Sequence, residues 1–143
     1  MNVNFKPDGY HTVTPFLLVQ NASNLIDFMK QVFEAEEIER YSNEDGSIIH
    51  AVMQIGDLRV MLSDSSEQFP ERTSMLHLYL PDVDTVYHRA LSAGATSLRE
   101  PEDEFFGDRS AGVLDRFGNQ WWLATHVEDV SAEEMQRRMN AHK

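Results

Sequence analysis

The side chains with chemistry to offer are few and scattered. His50 and His77 each lie inside an apolar run, IIHAVMQI and MLHLYL. An imidazole titrates near neutral pH, so each reads either as a ligand-binding or acid/base group or as a histidine satisfied by a polar neighbour. No serine or aspartate stands at a triad-like spacing from either. Trp122 offers a broad flat ring, to stack on a planar ligand or to fill core space, and Phe16 and Tyr79 add ring area. Arg109 follows Phe105-Phe106-Gly107-Asp108. It reads as a bidentate clamp for a carboxylate or phosphate at a pocket mouth, or as an ion pair with one of the many acidic side chains. Phe-Phe-Gly reads as a mobile lid hinged at Gly107, and the EPEDE run at 100–104 as a solvated face.

Composition bounds what these groups can serve. At 143 residues with 41% hydrophobic and 25% charged side chains, the chain is a globular domain that needs neither metal nor disulfide to fold. Twelve basic against 24 acidic residues leave a net charge of −12. Phosphate neutralisation needs the opposite balance, so nucleic acid and anionic membrane are excluded as general partners. There is no cysteine, which removes thiolate metal sites, iron–sulfur clusters and cysteine nucleophiles. MNVNFKPDGYH has no apolar stretch of signal-peptide length and no run reaches membrane-spanning length, so the expected location is the cytoplasm.

The elements that must position the candidates follow from periodicity. HTVTPFLLV (11–19) predicts a strand, and Leu25, Ile26, Met29, Val32 and Phe33 a helix over about 22–34, capped by Asn21 or Ser23. EEIERYS (36–42) predicts a short edge strand, and SIIHAVMQI (47–55) and LRVMLSD (58–64) a hairpin turned at Gly56-Asp57. A polar linker covers 65–73, and then the order repeats. SMLHLYL (74–80) is a strand, Pro81-Asp82 opens a helix that Gly94 ends, and short strands follow near 96–99 and 110–115. QWWLATH (120–126) is the last strand, and SAEEMQRRM (131–139) reads as a tail helix opened by a capping box. Thr14–Val19 falls on Met75–Leu80 at an offset of 61, and Ile55-Gly56 on Phe117-Gly118 at 62. The reading is one domain, 1–143, of class α+β. It has two tandem βαβββ modules, about 11–64 and 74–126, with curved, mixed but mainly antiparallel sheets, plus the C-terminal helix.

Alternation along each strand assigns faces. Leu76, Leu78 and Leu80 suit packing under a helix, leaving Met75, His77 and Tyr79 toward a cavity. By the same rule Thr12, Thr14, Phe16 and Leu18 face the cavity, as do Ile48, His50, Val52 and Gln54. Ile49, Ala51, Met53 and Ile55 face the helix. Gln120, Trp122, Ala124 and His126 share the cavity side, with Trp121 turned under the helix.

The doubled unit, VQNASNLIDFMKQVF, LYLPDVDTVYHRALSAGA and the DRFGNQWW hairpin resemble the vicinal oxygen chelate superfamily: glyoxalase I, bleomycin-resistance proteins, fosfomycin-resistance enzymes and extradiol dioxygenases. GDRSAGVLDRFGNQWWLATHVEDVS is most similar to its PhnB-like branch. The resemblance implies a cavity in which metalloenzymes of the family hold a divalent ion. Its ligand positions fall here on Thr14, Met75, Trp122 and either Val60 or Leu62. None is a histidine or carboxylate, so no metal or other cofactor is expected; a displaced site using His50 and His77 is the alternative. The resemblance also implies a homodimer, in which exposed sheet edges are paired.

Three functions are weighed. The first is a metal-free protein that binds a small, partly planar organic ligand in a groove lined by Phe16, His50, His77, Tyr79 and Trp122, with Arg109 at its mouth. The second is an enzyme of the superfamily (lyase, isomerase, transferase or dioxygenase) using a displaced metal or His50/His77 as acid/base. The third is a structural or regulatory partner protein, for which the acidic surface and the tail helix speak.

Overall fold

Leucines, isoleucines and methionines recurring at helical spacing, against strands that alternate, give two βαβββ units in a computed structural model that describes residues 3–141. The division falls between Ser74 and Met75.

In the first unit β1 (Phe16–Val19), α1 (Ala22–Phe33), β2 (Glu36–Ser42), β3 (Ile48–Ile55) and β4 (Leu58–Asp64) form one helix over one sheet of order β1-β4-β3-β2. β1 runs parallel to β4, and the other pairs are antiparallel. Leu25, Ile26, Met29 and Val32 of α1 are fully buried, as are Leu17, Val19, Ala51, Met53 and Leu62 from the sheet. Each such large apolar side chain stabilises the fold by about 1.5–3 kcal/mol.

Several boundaries differ from the sequence expectation. β1 begins at Phe16, not at 11, because Pro15 has no N–H to donate; its carbonyl accepts from Met61 N instead. Neither Asn21 nor Ser23 caps α1. Asn21 is left-handed, at φ 61°, and makes no side-chain cap. Asp64 caps from the far end of β4: Oδ1 accepts from Ala22 N at 2.9 Å, and Oδ2 from Ile48 N at 2.6 Å. A bulge between Tyr41↔His50 and Ser42↔Ile48 leaves Ile49 out of the ladder. Ile48 is therefore buried (1% exposed) and Ile49 is not (55%). Val60 and Leu62 are buried on the helix side, which removes them as cavity positions; Met61 and Ser63 stand beside Phe16 and Leu18 on the other face.

In the second unit β5 (Met75–Tyr79), α2 (Val83–Ser92), β6 (Thr96–Asp103), β7 (Asp108–Leu114) and β8 (Gln120–His126) repeat the order as β5-β8-β7-β6, followed by α3 (Ala132–Ala141). Asp82 caps α2, accepting from Thr85 N at 3.2 Å. Ala95 N and Gly94 N close its far end on the carbonyls of Ala90 and Leu91. Trp121 is buried on the helix side, and its indole N–H donates to Asp115 at 2.8 Å, the carboxylate that organises the turn. The segment read as loop is mostly strand. β6 runs to Asp103 through two register shifts, one between Ser97 and Arg99 and one between Arg99 and Glu102 that spans Pro101, and β7 starts at Asp108. Ser131 Oγ accepts from Glu134 N, but Glu134 does not complete a capping box; its carboxylate takes Arg137 and Arg138, which hold its pKa down to about 2.

Candidate functional site

Each sheet has a helix face and an open face, and the open faces carry most of the candidate groups. On the first, Phe16 and His50 lie with ring centroids 5.9 Å apart. Beside them is a cavity of about 690 Å³, walled by Phe16, Leu18, Ile48, Ile49 and Phe69, with serine and asparagine groups at its polar margin. That is within the usual range for small-molecule pockets, which pair apolar walls with a few polar groups. Alternation turns Leu18 and Ile48 to this side, but it turns Ile49 to the helix and says nothing of Phe69. The bulge exposes Ile49, and the linker 65–73 brings Phe69 over the sheet end, held by Ser66 N donating to Phe69 O at 2.8 Å. Neither effect follows from a strand's period of two.

On the second sheet, His77 and Tyr79 have centroids 5.0 Å apart, and Met75 and Tyr79 are well exposed. Trp122 lies across Gly112, its register partner, so closely that a Cβ there would meet the ring at 2.5 Å. Arg99 sits 5.3 Å from the ring centroid, and the indole N–H donates to Gln120. Arg109 points to the helix side. Its Nε and Nη2 fork onto Asp84 of α2 at 2.8 and 3.1 Å, while Nη1 reaches Asp103 at 3.3 Å. This pairing lowers the pKa of Asp84 and occupies the donors that an external anion would need. The Phe105-Phe106-Gly107 turn is pinned, not hinged. Gly107 O accepts from Val127 N and Glu128 N, and Arg138 of α3 donates to Phe105 O at 2.9 Å.

The open end of this sheet also holds a polar chain that sequence reasoning missed. Asp108, 4% exposed, accepts from Tyr79 OH on Oδ2 at 2.8 Å and faces His126 Nδ1 with Oδ1 at 2.8 Å. His126 Nε2 lies 2.7 Å from Asp129, which is fully exposed. An imidazole with a carboxylate at each nitrogen donates to both only as the cation. The hydrogen bond to Asp108, then that to Asp129, accordingly raises the His126 pKa. Bonding to Asp108 likewise raises that of Tyr79.

Thr14 offers a hydroxyl, Met75 a thioether and Trp122 an indole, and none of the three is a histidine or carboxylate of the kind a hard divalent ion takes. Among the described residues no group of three or more histidines and carboxylates is arranged to hold a metal.

Comparison with known proteins agrees with this architecture. A 36% identical protein of Mycobacterium bovis, described as uncharacterized protein Mb0911c, aligns over 99% of this chain and 97% of its own length. TioX from Micromonospora sp. ML1 superposes with a TM-score of 0.71 at 23% identity, over 82% of this chain and 99% of TioX. A mutant of the fosfomycin resistance protein FosX from Listeria monocytogenes, complexed with Mn(II) and 1S,2S-dihydroxypropylphosphonic acid, gives 0.61 at 20% identity, over 90% and 97%. At such identities the two structures speak for the fold. The family model of the Glyoxalase/Bleomycin resistance protein/Dioxygenase superfamily matches residues 10–123, and the chain belongs to that superfamily.

Proposed function

We propose that the protein binds a small, partly planar organic ligand without a metal, in the manner of the superfamily's resistance proteins. The observation that carries this reading is the cavity of about 690 Å³ on the first open face, where Phe16, Leu18, Ile49 and Phe69 give apolar and aromatic walls. His50 lies outside the cavity wall, with its ring beside that of Phe16, and the orienting groups on the wall itself are Asn43 and the serines. On the second open face His77, Tyr79 and Trp122 form the matching aromatic surface. Sequence similarity around GDRSAGVLDRFGNQWWLATHVEDVS supports a place in the PhnB-like branch. β1 and β5 stand at sheet edges, and a homodimer would cover such edges. The acidic charge and lack of cysteine fit a cytoplasmic protein, and no helix among the described residues is long and apolar enough to cross a membrane.

The test is a fluorine-NMR screen of small aromatic fragments against the full chain. Hits should be lost or weakened about tenfold in Phe16→Ala and Phe69→Ser, given the area each ring contributes. Hits unaffected by both changes, or none at all, would overturn the reading.

One observation favours a second reading, proton-transfer catalysis. A buried carboxylate, Asp108, orients both a phenol and an imidazole, and the outer nitrogen of the imidazole faces the fully exposed Asp129. That is the arrangement of an acid/base group with its orienting partner. His50 and His77 are the alternative acid/base groups.

A further inference from the structure

Arg109 is engaged by carboxylates, but another arginine is not. Arg59 lies on β4, in register with Gln54 of β3. Gln54 Oε1 accepts from Arg59 Nε at 3.1 Å, and the Gln54 amide is anchored in turn by donating to Gly56 O at 2.9 Å. The guanidinium carbon is 5.1 Å from the Tyr10 ring centroid. Gly9, at φ +88°, approaches so closely that a Cβ would come within 2.7 Å of Nη2. The flat face is thus covered and the plane is fixed. Nη1 and Nη2 have no acceptor, and Arg59 has no ion pair, among the described residues. Lys30, Arg40, Arg99, Arg109, Arg137 and Arg138 find a carboxylate, whereas Arg59, like Lys6, Arg72 and Arg116, has none among the described residues; of these three arginines only Arg59 has its guanidinium held by a side-chain hydrogen bond. Arg59 lines a cavity of about 580 Å³ together with Lys6, His11, Thr12 and Thr14, with Asp8 and Glu39 also on its wall.

We propose that Arg59 is the recognition group of a site for a small oxyanion, the carboxylate or phosphate group of a small molecule, with Gln54 as its positioning residue. A guanidinium offers parallel in-plane donors that match such groups bidentately. Here the orientation is set before the anion arrives, so little side-chain freedom remains to be lost on binding. Lys6 adds positive charge at the wall; Asp8 and Glu39 oppose it and limit the affinity. The site shares no lining residue with the apolar cavity and does not depend on that reading.

The experiment is NMR titration of the full chain at low salt with sodium benzoate, inorganic phosphate and neutral benzamide. Saturable shifts of the Arg59 Nε–H and of the Gly9 and Tyr10 amides are expected with an anion and not with benzamide, and the anion that acts tells carboxylate from phosphate. Arg59→Gln should weaken binding about tenfold or more, and Arg59→Lys less, as expected for a charge-assisted pair. Asp8→Asn leaves Arg59 in place and should tighten binding severalfold, which keeps the test open if Arg59→Gln fails to fold. Absence of saturable shifts with both anions at millimolar concentration, or a folded Arg59→Gln of unchanged affinity, would overturn the site.

Discussion

The two units place different chemistry at the same point of the same scaffold. β1 and β4 pair Leu18 with Ser63, and β5 and β8 pair Tyr79 with Ala124, an offset of 61 on both strands. Leu62 pairs with Ala51 and Leu123 with Ala111, so β3 maps onto β7 at an offset of 60. Leu18 and Ser65 of the first unit therefore correspond to Tyr79 and His126 of the second, while the bulge at Ile49 shifts the rest of β3, so that Ile48 pairs with Ser42 where Arg109 pairs with Asp103. The first pair helps to wall an apolar cavity; the second forms the ends of a hydrogen-bonded chain from phenol to carboxylate to imidazole. The fold accepts either, so these side chains are not dictated by the backbone. Helix capping shows the opposite behaviour. Asp64 and Thr125, again 61 apart, receive the first N–H of α1 and α2, at 2.9 and 3.0 Å. The job is kept while the residue type changes.

The comparison breaks most sharply if a carboxylate is placed in the buried apolar wall of the first unit. Ile48→Asp buries a charge with no partner and should cost about 3–5 kcal/mol in urea unfolding. The caps come next. Asp64→Ala strands both Ala22 N and Ile48 N and should destabilise by about 2–4 kcal/mol, whereas Thr125→Val strands Val83 N and should cost about 1–2 kcal/mol. Equal losses would show that the second acceptor of Asp64 does nothing.

The smallest expected effect is in pH dependence. His126 has its pKa raised in the folded state, by Asp108 first and Asp129 second. Its contribution to stability is complete below its unfolded pKa of about 6.5 and is lost as pH rises through the folded value. Thermal unfolding from mildly acidic to mildly alkaline pH should therefore show a decline that His126→Gln flattens, with no matching change in Ser65→Ala.

Much of this arrangement is written in residue order. Alternation places Leu17 and Trp121 toward the helices and His77 and Tyr79 away from them, because one face of each strand has to meet an apolar helix stripe. The Tyr79–Asp108–His126 chain escapes a sequence reading that starts β7 near 110. Carried back from the Asp115–Asn119 turn, the same hairpin pairing that sets Leu114 against Gln120 brings Asp108 opposite His126. Other features leave no linear trace. Ile49 is exposed by a bulge, and Arg59 stands out through a guanidinium fixed by Gln54 and Tyr10 yet lacking an ion pair, which depends on where every carboxylate ends up in space.

The neighbouring indoles give the molecule two built-in optical probes with different duties. Trp121 is sealed under the helix and bonded to the Asp115 carboxylate, so its emission should change only when the second unit melts. Trp122 is half-buried on the open face, lying on Gly112 beneath the Arg99 cation. A soluble quencher should reach Trp122 alone, and a molecule settling on that face should shield it while Trp121 stays silent. With Trp122→Phe as the control, occupancy and unfolding can be read separately in one fluorescence experiment without attaching a dye.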